Sequence, residues 1–284
     1  MAAVLWKIAG QTFDLTHRGM VMGVLNVTPD SFSDGGAFLD PDAAVEHGLQ
    51  MIEEGAQIID VGGESTRPGA ERVSVDDELA RTLPVIRRLT AAGTAAQISI
   101  DTSKSEVARA ALDAGATIIN DVTGGRGDSQ MMSLGAKRDA AFVIMHMQGT
   151  PRTMQTNPHY RDVVMEVRDF FRQQYACALE CGIDPMAIAF DPGIGFGKTL
   201  EHNLELLRHL TDLRVHDRPL VVGVSRKSFL GKLVGSPEME ERLAPTIALT
   251  ALLRARGADV LRVHDVRPNV AALGTAEALL DSTK

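Results

Sequence analysis

Cysteine is nearly missing from this sequence: among 284 residues only Cys177 and Cys181 occur, four apart in a stretch that reads as helix. Such a pair suits neither a disulfide framework nor a zinc site with recognisable ligand spacing, so two ordinary thiols of a reducing compartment are expected. No apolar run approaches the length needed to cross a bilayer. The opening stretch MAAVLWKIAGQTFDL breaks its short apolar run at Lys7 and shows no small-residue cleavage pattern. A cytoplasmic protein without a membrane partner is the expectation. Basic clusters are lacking as well: Lys and Arg number 29 against 37 Asp and Glu, giving a net charge of -8, and they are scattered. That distribution speaks against a nucleic-acid footprint. No Pro/Gly/Ser-rich linker or low-complexity stretch divides the chain, which is read as one domain over 1–284.

What the sequence does contain is a recurrent pattern. At 44% hydrophobic composition the chain can bury a sizeable core without staples. Eight short apolar, β-branched runs recur: VMGVL (21–25), IIDV (58–61), ISI (98–100), TIIN (117–120), FVIM (142–145), IAF (188–190), LVVGV (220–224) and VLRV (260–263). Amphipathic stretches such as DDELARTLPVIRRLTAAG and VVMEVRDFFRQQYACALECG separate them, several ending in the Gly that closes a helix. Strands apolar along their whole length fit a parallel sheet covered on both faces, and eight β/α units match an α/β fold of the (β/α)8 TIM barrel type. A doubly wound open sheet is the structural rival that periodicity leaves open. Residues 1–19 are read as an N-terminal β-hairpin closing the barrel floor.

The residues at the ends of these runs are polar: Asn26, the Glu64-Ser65-Thr66-Arg67 cluster, Asp101, Asn120-Asp121, His146, Asp191, Ser225-Arg226-Lys227 and His264, with Arg262 inside the last run. In a barrel all of them meet at the C-terminal mouth, where such enzymes carry their chemistry. Singly, an Asp, Asn or Ser at such a place is a helix cap as readily as a functional group. Together they include Lys227, Arg262 and His264, which are poor caps and would crowd cations into one mouth without an anionic ligand. Arg67, Arg226, Lys227, Arg262 and His264 suit phosphoryl oxygens, whereas Asp101, Asn120 and Asp191 suit a flat heterocycle carrying N–H donors.

Asp30 and Asp34 with Asn26 offer hard oxygen ligands for magnesium bridging to phosphates, or else the two acids solvate a turn. DPGIGFGK, Asp191 to Lys198, lacks the G-x-x-x-x-G-K-[ST] spacing of a phosphate loop. Its alternating glycines are read as letting the backbone approach a planar ligand, with Phe196 as an apolar wall.

The segments LNVTPDSFSDGG, DVGGESTRPGA, SIDTSK, INDVTGG, MHMQGTP, DPGIGFGK, GVSRKSFLG and RVHDV, in this order from about residue 20 to about residue 275, resemble the dihydropteroate synthase family of folate biosynthesis. The resemblance implies a barrel that joins 6-hydroxymethyl-7,8-dihydropterin diphosphate to 4-aminobenzoate with Mg2+, releasing pyrophosphate, and that works as a homodimer. It implies dissociative loss of pyrophosphate followed by amine attack, and inhibition by sulfonamides.

Residue by residue, the resemblance assigns the pterin to Asp101, Asn120, Met145, Asp191, Lys227 and Arg262. It gives the diphosphate to Asn26, Arg67, Arg262 and His264, and the metal to Asn26. For aminobenzoate it implies Thr66, Pro68, Gly195, Phe196, Ser225 and Lys227. Asn26, Arg67, Asp101, Lys227, Arg262 and His264 form the expected catalytic set. Two alternatives are a pterin-dependent methyltransferase and a pterin-binding protein without catalysis. The long connections after the first two strands, about 26–41 and 62–76, are expected to be mobile lids.

Overall fold

The computed structural model describes residues 2–28, 41–65, 72–150 and 152–280. A hairpin comes first, β1 (Leu5–Ile8) pairing antiparallel with β2 (Gln11–Asp14). The barrel strands follow: β3 (Met20–Asn26), β4 (Ile58–Gly62), β5 (Gln97–Asp101), β6 (Ile118–Asp121), β7 (Ala141–Met145), β8 (Ile188–Asp191), β9 (Val221–Val222) and β10 (Val260–Val263). Among the described residues these form one eight-stranded sheet in the order β8-β7-β6-β5-β4-β3-β10-β9, parallel throughout. A parallel bridge between Phe190 and Leu220 joins the two edges, and Phe190 N–H donates to Pro219 O at 2.9 Å. The sheet is therefore a barrel, and the open-sheet alternative is excluded.

The helices α1 (Pro41–Glu53), α2 (Val75–Ala91), α3 (Ser105–Asp113), α4 (Met131–Lys137), α5 (Val163–Glu180), α6 (Leu200–Arg208), α7 (Ser228–Val234), α8 (Leu243–Ala255) and α9 (Val266–Leu280) cover its outside. The seventh strand is shorter than the five-residue run LVVGV suggests. Its residues are divided between two neighbours, Leu220 bridging β8 while Val221 and Val222 pair with Val260 and Leu261 of β10.

Burial along the strands hides an alternation of partners. Val21, Leu25, Ile59, Val61, Ile100, Ile119, Phe142, Phe190 and Leu261 belong to the core shared with the helices, against residues such as Ile86, Val107 and Phe171. Met20, Met22, Ile58, Ile118, Ala141, Val143, Ala189, Val221 and Val260 form a second cluster inside the barrel, joined by Trp6 and Ile8 of the hairpin. Trp6 is fully buried and its Nε1 donates to Ala187 O at 3.0 Å, so the hairpin plugs the floor. Two residues further along the strands, the period-2 rule brings Asp60, Asn120, Asp191 and Arg262 to the inward face above Ile58, Ile118, Ala189 and Val260. One barrel interior is thus apolar below and ionic above.

Candidate active site

The caps of the covering helices lie elsewhere. Ser74, Asp162 and Thr199 cap α2, α5 and α6, while Lys104 and Gln130 occupy the corresponding positions of α3 and α4. Asp101, Asn120 and Asp191 are therefore not helix caps but strand-end groups turned into the mouth. With Met145, Lys227 and Arg262 they line one cavity, completed by Val122, Phe196 and Gly223. All six residues expected at the pterin are brought together there.

The hub of this mouth is Asp60, which lies inside the run IIDV and not among the strand-end residues. It is fully buried, and its Oδ2 accepts from Arg262 Nε at 2.7 Å and from Asn120 Nδ2 at 2.9 Å. Arg262 Nη2 donates to Asp101 Oδ2 at 2.8 Å, so one guanidinium spans β4 and β5 from β10. A charged residue inside the apolar run IIDV was the available signal, because an unpaired buried carboxylate is too costly to be incidental. Asp60 Oδ1 and the hydroxyl of Ser99, its register partner on β5, are buried without a hydrogen-bond partner.

Three carboxylates (Asp60, Asp101, Asp191) face two cations (Lys227, Arg262) in this group. Burial pushes the Asp101 carboxyl up to about 7 against the pull of Arg262, and Asp60 adds to the rise. Burial also raises Asp191, opposed by Lys227. Lys227 is drawn down by burial to about 8, with Asp191 working the other way. For Arg262 burial disfavours the charge, but Asp60 and Asp101 more than compensate and keep it protonated. Acid and base are held near neutrality side by side, as polar sites awaiting a ligand often are.

Gly193, Gly195 and Gly197 all adopt left-handed backbone, with φ of 62°, 84° and 63°. A Cβ on Gly193 would lie 1.9 Å from His146 O, and one on Gly197 2.7 Å from Gln148 O. At these two positions the glycines allow close approach to the protein's own backbone rather than to a planar ligand. Gly195 borders Lys227, whose Nζ lies 4.8 Å from the centre of the Phe196 ring and donates to Ile194 O.

His146 is a buried neighbour of Lys198. Burial holds its imidazole down to about 2, with the Lys198 charge adding to the effect, so it stays neutral. Asp121 takes Thr123 N and Oγ1 at 2.8 Å and Gly125 N at 2.9 Å, which makes it a loop-former. Arg226 does not face the mouth as a free cation; Asp265 binds it through Nε at 3.0 Å and Nη2 at 2.5 Å.

Asn26, Ser225 and His264 stand at neighbouring strand ends outside the cavity. Ser225 Oγ accepts from His264 N at 3.2 Å and lies 3.0 Å from its Nδ1. A Cβ on Gly62 would make ordinary contacts with Asp101 Cβ at 3.6 Å, Asn26 Oδ1 at 3.7 Å and Asp101 Oδ2 at 3.8 Å, which places Asn26 Oδ1 and the Asp101 carboxylate on either side of this glycine. Among the described residues no three His, Cys, Asp or Glu side chains gather as a metal cage. A single neutral amide oxygen at a strand end fits magnesium only where phosphate and water supply most of its ligands. Thr66, Arg67, Pro68, Asp30 and Asp34 lie outside the described residues, as do residues 29–40 of the first expected lid and 66–71 of the second.

Known proteins share this sequence and this fold. Residues 22–264 match the model of the pterin binding enzyme family. The dihydropteroate synthase of Synechocystis sp. is 46% identical over 95% of this chain and 93% of its own. Dihydropteroate synthase of Xanthomonas albilineans, solved with 4-aminobenzoic acid, is 45% identical, covers 99% of both chains and superposes with a TM-score of 0.91. That of Yersinia pestis, solved with a sulfonamide drug, is 41% identical over 98% of this chain and 100% of the other, with a TM-score of 0.92. On sequence and fold together, this chain belongs to the pterin binding enzyme family.

Proposed function

We propose that this chain is a dihydropteroate synthase, condensing 6-hydroxymethyl-7,8-dihydropterin diphosphate with 4-aminobenzoate in folate biosynthesis. The observation that carries the reading is the single cavity lined by Asp101, Asn120, Asp191, Lys227 and Arg262 over Met145. Carboxylates and an amide there meet the donors and acceptors of a pterin edge, and Arg262, fixed by Asp60 and Asp101, supplies a planar cation against its ring.

The diphosphate is assigned to Asn26, Arg67, Arg262 and His264. Bound magnesium, with Asn26 as its protein ligand, would neutralise charge on the diphosphate oxygens. The bond between the pterin methylene carbon and the diphosphate oxygen breaks with both electrons leaving on pyrophosphate. Arg67, Arg262 and His264 stabilise that leaving charge, and the electron-rich dihydropterin stabilises the methylene cation. The neutral amine of aminobenzoate then attacks the methylene carbon and loses its proton to solvent. Preorganised charge does most of this work, and no residue forms a covalent intermediate.

The aminobenzoate is placed against Thr66, Pro68, Gly195, Phe196, Ser225 and Lys227, where sulfonamides would compete with it. A cytoplasmic homodimer completes the proposal. No described helix is long and apolar enough to cross a membrane, and Leu252 and Leu279 of the packed helices α8 and α9 stay 56% and 83% exposed, large apolar side chains that a second copy would cover. Pyrophosphate release and dihydropteroate formation requiring both substrates and magnesium test the activity. Release with neither dependence, or methyl transfer to a corrinoid instead, would overturn it.

A further inference from the structure

Between β8 and α6 the chain runs from Gly193 to Gly197 without regular secondary structure, and such backbone must find partners outside a helix or sheet. Here each of the five successive carbonyls is taken by a side chain. Lys198 Nζ donates to Gly193 O at 2.9 Å and Phe196 O at 3.0 Å. Lys227 takes Ile194 O, Gln155 Nε2 donates to Gly195 O at 2.6 Å, and Tyr160 Oη to Gly197 O at 2.9 Å. On the amide side, Asn203 Oδ1 accepts from Gly195 N at 2.7 Å.

Lys198 is the centre of this cradle. It is only 3% exposed, and its Nζ also lies 3.3 Å from His146 O and 3.1 Å from His146 Nδ1. Burial draws the Lys198 amine well below the usual lysine range, with Asp191 opposing, and the acceptors around Nζ offset the cost of burying the amine. Here three carbonyls converge on a compact group that a planar guanidinium could not replace. In front of the loop, Phe196 lines the mouth cavity beneath Lys227.

We infer that Lys198 is a positioning residue which, from behind the loop, fixes the Phe196 ring and the Gly195 backbone as the wall for the second substrate. The pterin side, carried on strand ends, is set by the barrel itself. This rests on the aminobenzoate reading of that pocket.

The test is Lys198→Met, which keeps an unbranched chain one atom shorter and removes the donors. The KM for 4-aminobenzoate should rise about tenfold or more while the dissociation constant of the dihydropterin diphosphate stays within about threefold. In protein labelled with 4-fluorophenylalanine, the Phe196 fluorine line, assigned through Phe196→Leu, should be single in the parent protein and split or broadened in Lys198→Met. A KM within about twofold of the parent, or equal loss for both substrates with an unchanged Phe196 line, overturns the inference.

Should Lys198→Met fail to fold, the double variant Gln155→Ala/Tyr160→Phe decides. A KM increase of roughly fourfold supports the cradle, in keeping with two lost hydrogen bonds, and an unchanged KM overturns it. If the parent protein does not use aminobenzoate at all, the substrate reading has failed, and the Phe196 line still tests the positioning separately.

Discussion

Two buried ionic groups sit at opposite ends of the same barrel. At the floor, Arg254, Arg214 and the more exposed Arg18 meet Asp259 and Glu277, with Arg214 Nη1 2.8 Å from Asp259 Oδ2, Arg254 Nε 3.2 Å from Glu277 Oε1 and Arg18 Nη1 3.4 Å from Glu277 Oε2. Both Arg254 Nη groups also reach backbone carbonyls, of Ala258 at 3.0 Å and of Leu15 and Thr16 at 3.1 and 3.2 Å, which ties the hairpin to α8. At the mouth, three carboxylates share two cations, Asp60 keeps an oxygen without a partner, and Asp101 and Lys227 are drawn toward neutrality. A group whose carboxylates are outnumbered by cations and whose guanidiniums also reach backbone carbonyls holds the fold. The carboxylate-rich one leaves hydrogen-bonding capacity for a ligand.

The comparison breaks most visibly under paired substitutions. Arg254→Met removes the buried cation shared by Asp259 and Glu277, leaving Glu277 only the exposed Arg18, and should cost about 3–5 kcal/mol of stability, read by denaturant unfolding, with kcat/KM per folded molecule unchanged. Trp6→Ala, which opens the plugged floor, should cost about 3–5 kcal/mol on the same assay, again without a change in kcat/KM. Asp60→Asn strikes the other end. Its effect should be a loss of about 10- to 100-fold in kcat/KM for the pterin substrate, since Arg262 and Asn120 lose the group that orients both.

A pH profile sharpens the contrast further. Because the Asp101 carboxyl is raised to about 7, it is ionised only above that pH; because Lys227 is lowered to about 8, it keeps its proton only below that. The kcat/KM for the pterin substrate should therefore rise through about pH 7 and fall beyond about pH 8. Asp101→Asn should remove the acid limb and Lys227→Arg should move the alkaline limb upward. Smallest of all, the floor substitutions should leave that profile where it is.

Much of the mouth was legible in the sequence, because a parallel barrel gathers strand ends whatever the details of packing. Asp101, Asn120, Asp191, Lys227 and Arg262 were found that way and share one cavity. Asp60 lies within its apolar run, as Arg262 does in VLRV, and only the register of β4 between β3 and β5 reveals that it faces Asn120 and Arg262. Arg226 looked like a phosphate ligand by position. Its pairing with Asp265, 39 residues away, is a tertiary fact that spacing does not encode. The alternation of Gly193, Gly195 and Gly197 was visible, but its cause, contact with the backbone of His146 and Gln148, was not.

The division between the two ends is tested most directly by equilibrium binding of dihydropterin diphosphate to Arg262→Met and Arg254→Met, measured where both are folded. Loss of a charge-assisted group at the mouth predicts affinity lower by about 100-fold in Arg262→Met, with Arg254→Met within about twofold of the parent protein. Equal losses in the two variants, or parental affinity in Arg262→Met, would contradict it.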